Sequence, residues 1–136
     1  CKDVSEDAAA DCIFGYTCVN DVTALQLIDA VASFAQWTRA KGFDTFGALG
    51  PVVATGIDPE TLSVRTTLNG RERQNYPVAD MFFGPAALVS HLSRNMTLEP
   101  GDVIACGPSL GVAPMKSGQS VDVTIDGIGT WSNTFG

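Results

Sequence analysis

Two segments of the chain alternate between apolar and polar residues, the period-two pattern of a strand that buries one face. They are residues 62–68 and 121–125. Each is followed by a dipeptide that favours a tight turn, Asn69-Gly70 after the first and Asp126-Gly127 after the second. We therefore expect two antiparallel hairpins, with returning strands over residues 71–74 and 128–132.

Continuous apolar runs predict two further strands. Residues 13–19 are rich in aromatic and β-branched side chains, which is typical of a buried strand. Residues 103–106 are expected to form a strand after a tight turn at residues 99–102. The Gly-rich stretch over residues 35–56 is expected to be irregular.

A period of 3.6 residues predicts two helices. The first covers residues 22–34, after an Asn20-Asp21 pair of the kind that caps helix N-termini. The second begins at Pro85, a residue favoured in the first helical turn. Residues 3–11 are expected to form only a short helical turn. The expected inward-facing side chains are Ala24, Leu27, Ile28, Val31 and Phe34 in the first helix and Leu88, Val89, Leu92 and Met96 in the second.

These elements predict one α+β domain over residues 1–136, mostly β, with two helices. The 136 residues are 45% hydrophobic and 17% charged, which excludes an intrinsically disordered chain. A formal net charge of -7 repels phosphate backbones and anionic lipids, so we expect no nucleic-acid and no membrane partner. No apolar run approaches the ~20 residues of a membrane-spanning helix.

Four cysteines bear on the compartment: Cys1, Cys12, Cys18 and Cys106. They could form two disulfides in a secreted protein, but a chain of this length with an apolar core does not need them. We expect free thiols and a cytoplasmic location. The cysteines also lack the Cys/His spacing of a zinc site.

Few residues offer catalytic chemistry from spacing alone. His91, the only histidine, falls inside a predicted helix and is expected to be structural or exposed. Asp21 follows a buried strand, where its carboxylate either points into a cleft or caps a helix. Lys41 lies in the Gly-rich stretch, where it either donates to an oxyanion or is an ordinary surface lysine.

Several segments, taken together, resemble the catalytic domain of the fumarylacetoacetate hydrolase family. The resemblance runs in order along essentially the whole chain. Its main motifs are residues 14–24 (Phe-Gly-Tyr-Thr-Cys-Val-Asn-Asp-Val-Thr-Ala), residues 36–47 (Gln-Trp-Thr-Arg-Ala-Lys-Gly-Phe-Asp-Thr-Phe-Gly), Leu49-Gly50-Pro51, Leu68-Asn69-Gly70, residues 96–104, Pro114-Met115-Lys116 and Ile128-Gly129-Thr130.

The resemblance implies a mixed β-roll fold and a divalent-metal site. In the family, Mg2+ or Mn2+ is bound by a Glu-x-Glu pair and one aspartate, and Asp21 matches that aspartate. Lys41 matches the family lysine that holds a substrate or transition-state oxygen. Thr45 matches a residue near the metal, and Gly42 would let the backbone approach the substrate.

The chain also departs from the family pattern. An Arg-Asp-x-Gln segment, whose arginine and glutamine face substrate in the family, is replaced by Leu25-Gln26-Leu27-Ile28. A Thr-Gly-Thr-Pro segment is replaced by Cys106-Gly107-Pro108-Ser109, in which Ser109 is a displaced substitute for the ligand-contacting threonine. We expect a pocket more apolar than usual, or a less active one, as befits a changed substrate in secondary metabolism.

The Glu-x-Glu pair has no counterpart in the chain, since it lies upstream of the matched region in the family. We expect the chain to be the C-terminal portion of a longer enzyme, because it opens at Cys1 without a methionine; a degenerate family member is the alternative.

Two functions follow from the resemblance. The first is a hydrolase or lyase that acts on a small β-diketo or 2-oxo acid through a stabilised enolate, by C–C hydrolysis, decarboxylation or tautomerisation, in a homodimer. The alternative is a non-catalytic domain that dimerises with, or supports, an intact relative.

Overall fold

Two antiparallel sheets form the β part of the fold. The computed structural model describes residues 1–31 and 33–136. A two-stranded sheet pairs β1 (Tyr16–Asn20) with β2 (Ala48–Ala54). A four-stranded sheet has the order β4-β3-β5-β6, with β3 at Ser63–Leu68, β4 at Arg71–Pro77, β5 at Ser120–Ile125 and β6 at Gly129–Thr134.

Both predicted hairpins are confirmed. In the first, Leu68 pairs with Arg71 across Asn69 and Gly70, whose φ angles are 50° and 72°. Two positive φ angles match the twist of a tight hairpin, which is why Asn-Gly is favoured there. The Asn69 Oδ1 also accepts a hydrogen bond from the Ser120 backbone N at 2.9 Å, so this turn is tied to the start of β5.

The helices are shorter and more numerous than predicted. The helix expected over residues 22–34 is the one-turn α2 (Leu25–Asp29), and it buries none of its residues. Val31 and Phe34, predicted to face inward, are exposed, and Ala32 lies outside the described residues. A helix is stable in a protein mainly through the packing of its apolar face, and α2 buries none of its residues. The apolar period therefore predicted a helix longer than the one that forms.

The stretch expected to be irregular contains two elements. They are α3 (Trp37–Lys41) and β2, and β2 pairs with β1. Conversely, residues 103–106 follow their predicted turn but form no strand. These errors share a cause: whether each segment forms a helix or a strand depends on pairing or packing between residues far apart in sequence.

The helix predicted at Pro85 is confirmed as α4 (Pro85–Asn95). Val89 is buried as expected, whereas Met96 is exposed at its end, so the expectation for Met96 was wrong. Two buried serines bind the N-terminal segment, which includes the short α1 (Glu6–Ala9), to this helix. The Ser90 Oγ donates to the Val4 carbonyl at 2.9 Å, and the Ser93 Oγ accepts from the Val4 N at 3.1 Å.

The hydrophobic core lies between the two sheets. Its buried members are Cys18, Leu62, Val78, Val121, Val123 and Ile128. The alternation in β5 places Val121 and Val123 on this inner face and Asp122 on the outer face. All four cysteines are free, as predicted. The α+β fold class is confirmed, and no helix in the described part of the chain is long and apolar enough to cross a membrane.

Candidate functional site

Asp21 and Lys41 meet although they belong to different elements. Asp21 directly follows β1, and Lys41 is the last residue of α3. The Lys41 Nζ donates to the Asp21 Oδ2 and, at 3.1 Å, to the Thr23 Oγ1. The alternative reading of Asp21 as a helix cap does not hold, since α2 begins four residues later and has no side-chain cap.

The Lys41 ammonium group also lies over the ring of Trp37, 5.9 Å from its centroid. A cation in that position is attracted by the electrons of the ring. The side chains of Lys41 and Asp21 are 36% and 39% exposed, so solvent screens their ion pair and it stabilises the fold little. Both charged groups are therefore accessible to a small molecule.

A cavity of about 540 Å³ opens beside this ion pair. That volume is within the range of small-molecule sites. One wall is the inner face of the four-stranded sheet, including Val64, Val123 and Ile125, and another is the loop from Ile104 to Met115. The polar groups of the ion pair thus stand at the edge of a largely apolar pocket.

Three other ionisable groups of the cavity lining are held in their neutral forms. Burial raises the pKa of Tyr16 and of Tyr76 above the ordinary phenol value, and the negative charge that Cys106 would carry as a thiolate raises both further. Burial also raises the pKa of the Cys106 thiol itself. At neutral pH these groups are hydrogen-bonding partners for a ligand rather than nucleophiles.

Three of the predicted site residues do not line this cavity. Gly42 and Thr45 line a neighbouring cavity of about 830 Å³, in which Asp44 is the only ionisable side chain among the described residues. Thr45 has a φ of 68°, unusual for a β-branched residue. Ser109 lines neither cavity; its hydroxyl donates to the Leu110 carbonyl, and its own carbonyl accepts from Gln74.

The carboxylates in the described part of the chain do not form a metal site by themselves. Residues 1–31 and 33–136 contain no group of three metal-ligating side chains. Mg2+ and Mn2+ favour several oxygen ligands, and Asp21 supplies one carboxylate that is already paired with Lys41. A cation at Asp21 would need ligands from outside these residues and would compete with Lys41.

The sequence did not single out several residues that shape the site. Thr23 positions the Lys41 ammonium, and Trp37 faces it. Leu25, by contrast, was noted as the replacement for the family arginine, and it lines the cavity and is half exposed. Thr23 and Trp37 belong to the matched motifs, so the signal was present, but their contacts depend on α3, a helix that the pattern did not predict.

Comparison with known proteins adds a family and several relatives. The family model described as "Fumarylacetoacetate (FAA) hydrolase C-terminal" matches residues 1–136. The structure of 2-hydroxyhepta-2,4-diene-1,7-dioate isomerase from Mycobacterium marinum is 46% identical, with a TM-score of 0.90 over 98% of this chain and 52% of that one. Oxaloacetate tautomerase YisK of Bacillus subtilis is 41% identical over 98% of this chain and 46% of its own length.

A third relative was solved with a metal ion. The structure of maleylpyruvate hydrolase from Sphingobium sp. SYK-6, in complex with manganese(II) and pyruvate, is 30% identical. Its TM-score is 0.84, over 98% of this chain and 48% of that one. The chain spans about half the length of the curated relatives it matches.

Proposed function

The chain belongs to the fumarylacetoacetate hydrolase family, and on that premise we propose that it carries part of the active site of an enzyme acting on a small 2-oxo acid or β-diketo substrate. The observation that carries the proposal is the Asp21–Lys41 pair, brought from two distant segments to the edge of a cavity. Each of the three relatives described above is named for a reaction of a 2-oxo acid or of an enol acid, which supports the substrate class.

Lys41 has the catalytic role in this proposal. Its ammonium group donates hydrogen bonds at the cavity edge, where it can stabilise negative charge that develops on a carbonyl oxygen as an enolate forms. Asp21 and Thr23 hold the ammonium in place, and the apolar walls limit the access of water. C–C hydrolysis, decarboxylation and tautomerisation all pass through such an enolate, so the same pair serves each of them.

The remaining predicted positions keep their proposed roles. Thr45 and Gly42, which line the adjoining cavity, are proposed to contact the substrate, with Thr45 near the metal. Ser109 would join them only after its loop moves, because its hydroxyl is now bonded to the neighbouring backbone. The cytoplasmic location stays a prediction.

The proposed cofactor is Mg2+ or Mn2+, with Asp21 as one ligand. The manganese in the maleylpyruvate hydrolase structure supports divalent-metal use in the family. Bound there, the metal would supply Lewis-acid stabilisation of the substrate oxygens. The role derived for Lys41 rests on its own hydrogen bonds to Asp21 and Thr23 rather than on the metal.

The catalytic role is tested by replacing Lys41 with methionine. We would measure turnover of a panel of 2-oxo and β-diketo acids by the chain alone and by a chimaera. In the chimaera, the chain is fused to the part of the Mycobacterium marinum relative that it does not match. Lys41→Met should lower turnover at least ~100-fold, the loss expected for one oxyanion donor. Lys116→Met, at an exposed position outside both cavities, is the matched control; full activity of Lys41→Met would refute the role.

The metal assignment needs a separate measurement. Calorimetric titration with Mn2+ should show no binding to the chain alone and clear binding to the chimaera. Asp21→Ala should abolish binding by the chimaera, whereas Asp44→Ala, at a carboxylate in the neighbouring cavity, should not. Unchanged affinity in Asp21→Ala would remove Asp21 from the ligand set.

The alternative function is a non-catalytic domain that dimerises with, or supports, an intact relative. It is favoured by the lack of a metal-ligand cluster in the described residues and by exposed apolar side chains on β2, namely Leu49, Val52 and Val53. These side chains also support the proposed homodimer. Analytical ultracentrifugation tests the dimer, and a chimaera that is inactive on the whole panel would favour the alternative.

A further inference from the structure

Arg73 faces the cavity because strand β4 contains a bulge. In the hairpin, Thr66 pairs with Gln74 and Thr67 pairs with Glu72, so Arg73 has no partner across the strands. Side chains normally alternate between the two faces of a strand, yet Arg73 and Gln74 both line the cavity. Bulges redirect side chains in this way and are common beside active sites.

The buried nitrogen of the Arg73 guanidinium group has no hydrogen-bond partner. Its Nε is inaccessible to solvent and makes no hydrogen bond. The loop opposite approaches so closely that a Cβ on Gly111 would lie 1.9 Å from the Arg73 carbonyl oxygen. A buried donor without an acceptor is costly and rare in native proteins, so this one calls for a ligand atom or another explanation.

Arg73 is the charged residue of the cavity lining that has no oppositely charged partner among the described residues. Among the described residues that line the cavity, three have charged side chains: Asp21, Lys41 and Arg73. Asp21 and Lys41 neutralise each other, and theirs is the one ion pair found within residues 1–31 and 33–136. The lining therefore carries one net positive charge in a chain whose formal net charge is -7.

We propose that Arg73 binds the carboxylate of the cavity's ligand, and that this ligand is an organic monocarboxylate with an apolar body. A guanidinium group binds a carboxylate through paired hydrogen bonds, and a rotation of the Arg73 side chain would bring its Nε, now inaccessible to solvent, into one of them. A single negative charge balances the single positive charge of the lining. The proposal rests on the proposed function for the identity of the cavity as the substrate site and narrows the substrate class.

The other lining residues fit the apolar body of such a ligand. Leu25, Trp37, Pro85, Val112 and Met115 contribute apolar side chains to the cavity, and Leu25 occupies a place where the family pattern has a charge. In the absence of a bound metal, a ligand with a second carboxylate would meet no second unpaired cation among the described residues that line the cavity. The cavity should thus select against dicarboxylates.

Binding to the 136-residue chain, measured by calorimetry without turnover, tests the proposal. The probes are 2-oxohexanoate, the neutral hexan-2-one and the dicarboxylate 2-oxoadipate. We expect 2-oxohexanoate to bind more tightly than either of the others. Arg73→Gln should weaken its binding about 10–100-fold, the scale of a hydrogen bond to a charged group. Arg71→Gln, on the same hairpin and outside the cavity, should bind like the wild type.

A second readout uses the wild-type chain and does not depend on a variant that folds. The Arg73 Nε–Hε signal in a ¹H–¹⁵N NMR spectrum should move downfield when 2-oxohexanoate is added and stay in place with hexan-2-one. An unmoved signal, equal binding by Arg73→Gln, or tighter binding of either hexan-2-one or 2-oxoadipate would overturn the proposal. If Arg73→Gln weakens the binding of 2-oxohexanoate while Lys41→Met retains full turnover, the proposed catalytic role of Lys41 is refuted and this inference still stands.

Discussion

The four-stranded sheet and the two-stranded sheet are assembled from different kinds of contact. In the former, two of the three strand pairs are hairpins whose partners are near neighbours in sequence. In the latter, β1 pairs with β2 across residues 21–47, a segment that holds the two short helices α2 and α3. Asp21 and Lys41 both lie in that long connection.

The two regions also differ in burial. Val121 and Val123 of the four-stranded sheet are each 5% exposed, whereas the Asp21 and Lys41 side chains are more than a third exposed. Apolar burial dominates folding free energy, and exposed ion pairs contribute little. The difference indicates that the four-stranded sheet supplies most of the stability, while the residues proposed to carry out the chemistry lie in the connection between β1 and β2.

The largest expected effect comes from opening the core of the four-stranded region. Leu62 is 7% exposed and packs in the core cluster. Leu62→Ala should lower the free energy of unfolding by about 2–5 kcal/mol, from lost burial and the cavity left behind. Urea denaturation measures it. Leu110→Ala, at a leucine that is 93% exposed, should change stability by less than about 0.5 kcal/mol.

A smaller loss is expected at the hairpin turn. Gly70 has a φ of 72° with open space around it, so an added Cβ causes backbone strain without a collision. Gly70→Ala should reduce stability by about 1–2 kcal/mol. Gly136→Ala is the control, because Gly136 has open space around it and no positive φ. Equal stability of both variants would mean that the turn does not fix this sheet.

The same contrast explains which parts of the fold were predictable. The hairpins carry their own signals, since alternation gives the face and Asn69-Gly70 gives the turn. The elements α3 and β2 carry none, because β2 is defined by its pairing with distant β1 and α3 is a single turn held by tertiary contacts. For the same reason the period of residues 22–34 overstated α2.

The site was predictable only in part. Asp21 and Lys41 were singled out from their positions in the chain with two readings each, the family resemblance favoured the functional one, and the structure brings them together. The position of Arg73 could not be foreseen, because a strict alternation assigns it to the outer face and only the bulge in β4 turns it inward. The apolar character expected of the pocket is met at Leu25.

A still smaller effect is expected from the ion pair itself. In a double-mutant cycle of Asp21→Asn and Lys41→Met, the coupling free energy of unfolding should be about 0.2–1 kcal/mol. About 0.5 M NaCl should reduce it, because both side chains are solvent-accessible. A coupling of several kcal/mol would mean that the connection between β1 and β2 contributes substantially to stability, which would contradict the division between the two regions.

The least pronounced effect concerns pH. Burial raises the pKa of the Cys18 thiol, so the folded state holds this proton more tightly than the unfolded chain. The resulting stabilisation is complete below roughly pH 8.5, the unfolded thiol pKa, and is lost as the pH rises through the folded value. Unfolding free energy should therefore fall more steeply above that pH in the wild type than in Cys18→Ala. Cys12→Ala, at an exposed cysteine, should keep the wild-type slope.

Enolate formation at Lys41 is the central claim, and hydrogen exchange at C3 of a 2-oxo acid measures it most directly. Each exchange event in D2O reports one enolate, whichever reaction follows, and ¹H NMR follows the loss of the C3 signal. We predict that the active chimaera exchanges this hydrogen well above the buffer rate, that Lys41→Met exchanges it at least ~100-fold more slowly, and that Lys116→Met is unchanged. Exchange by Lys41→Met at the wild-type rate would contradict the account.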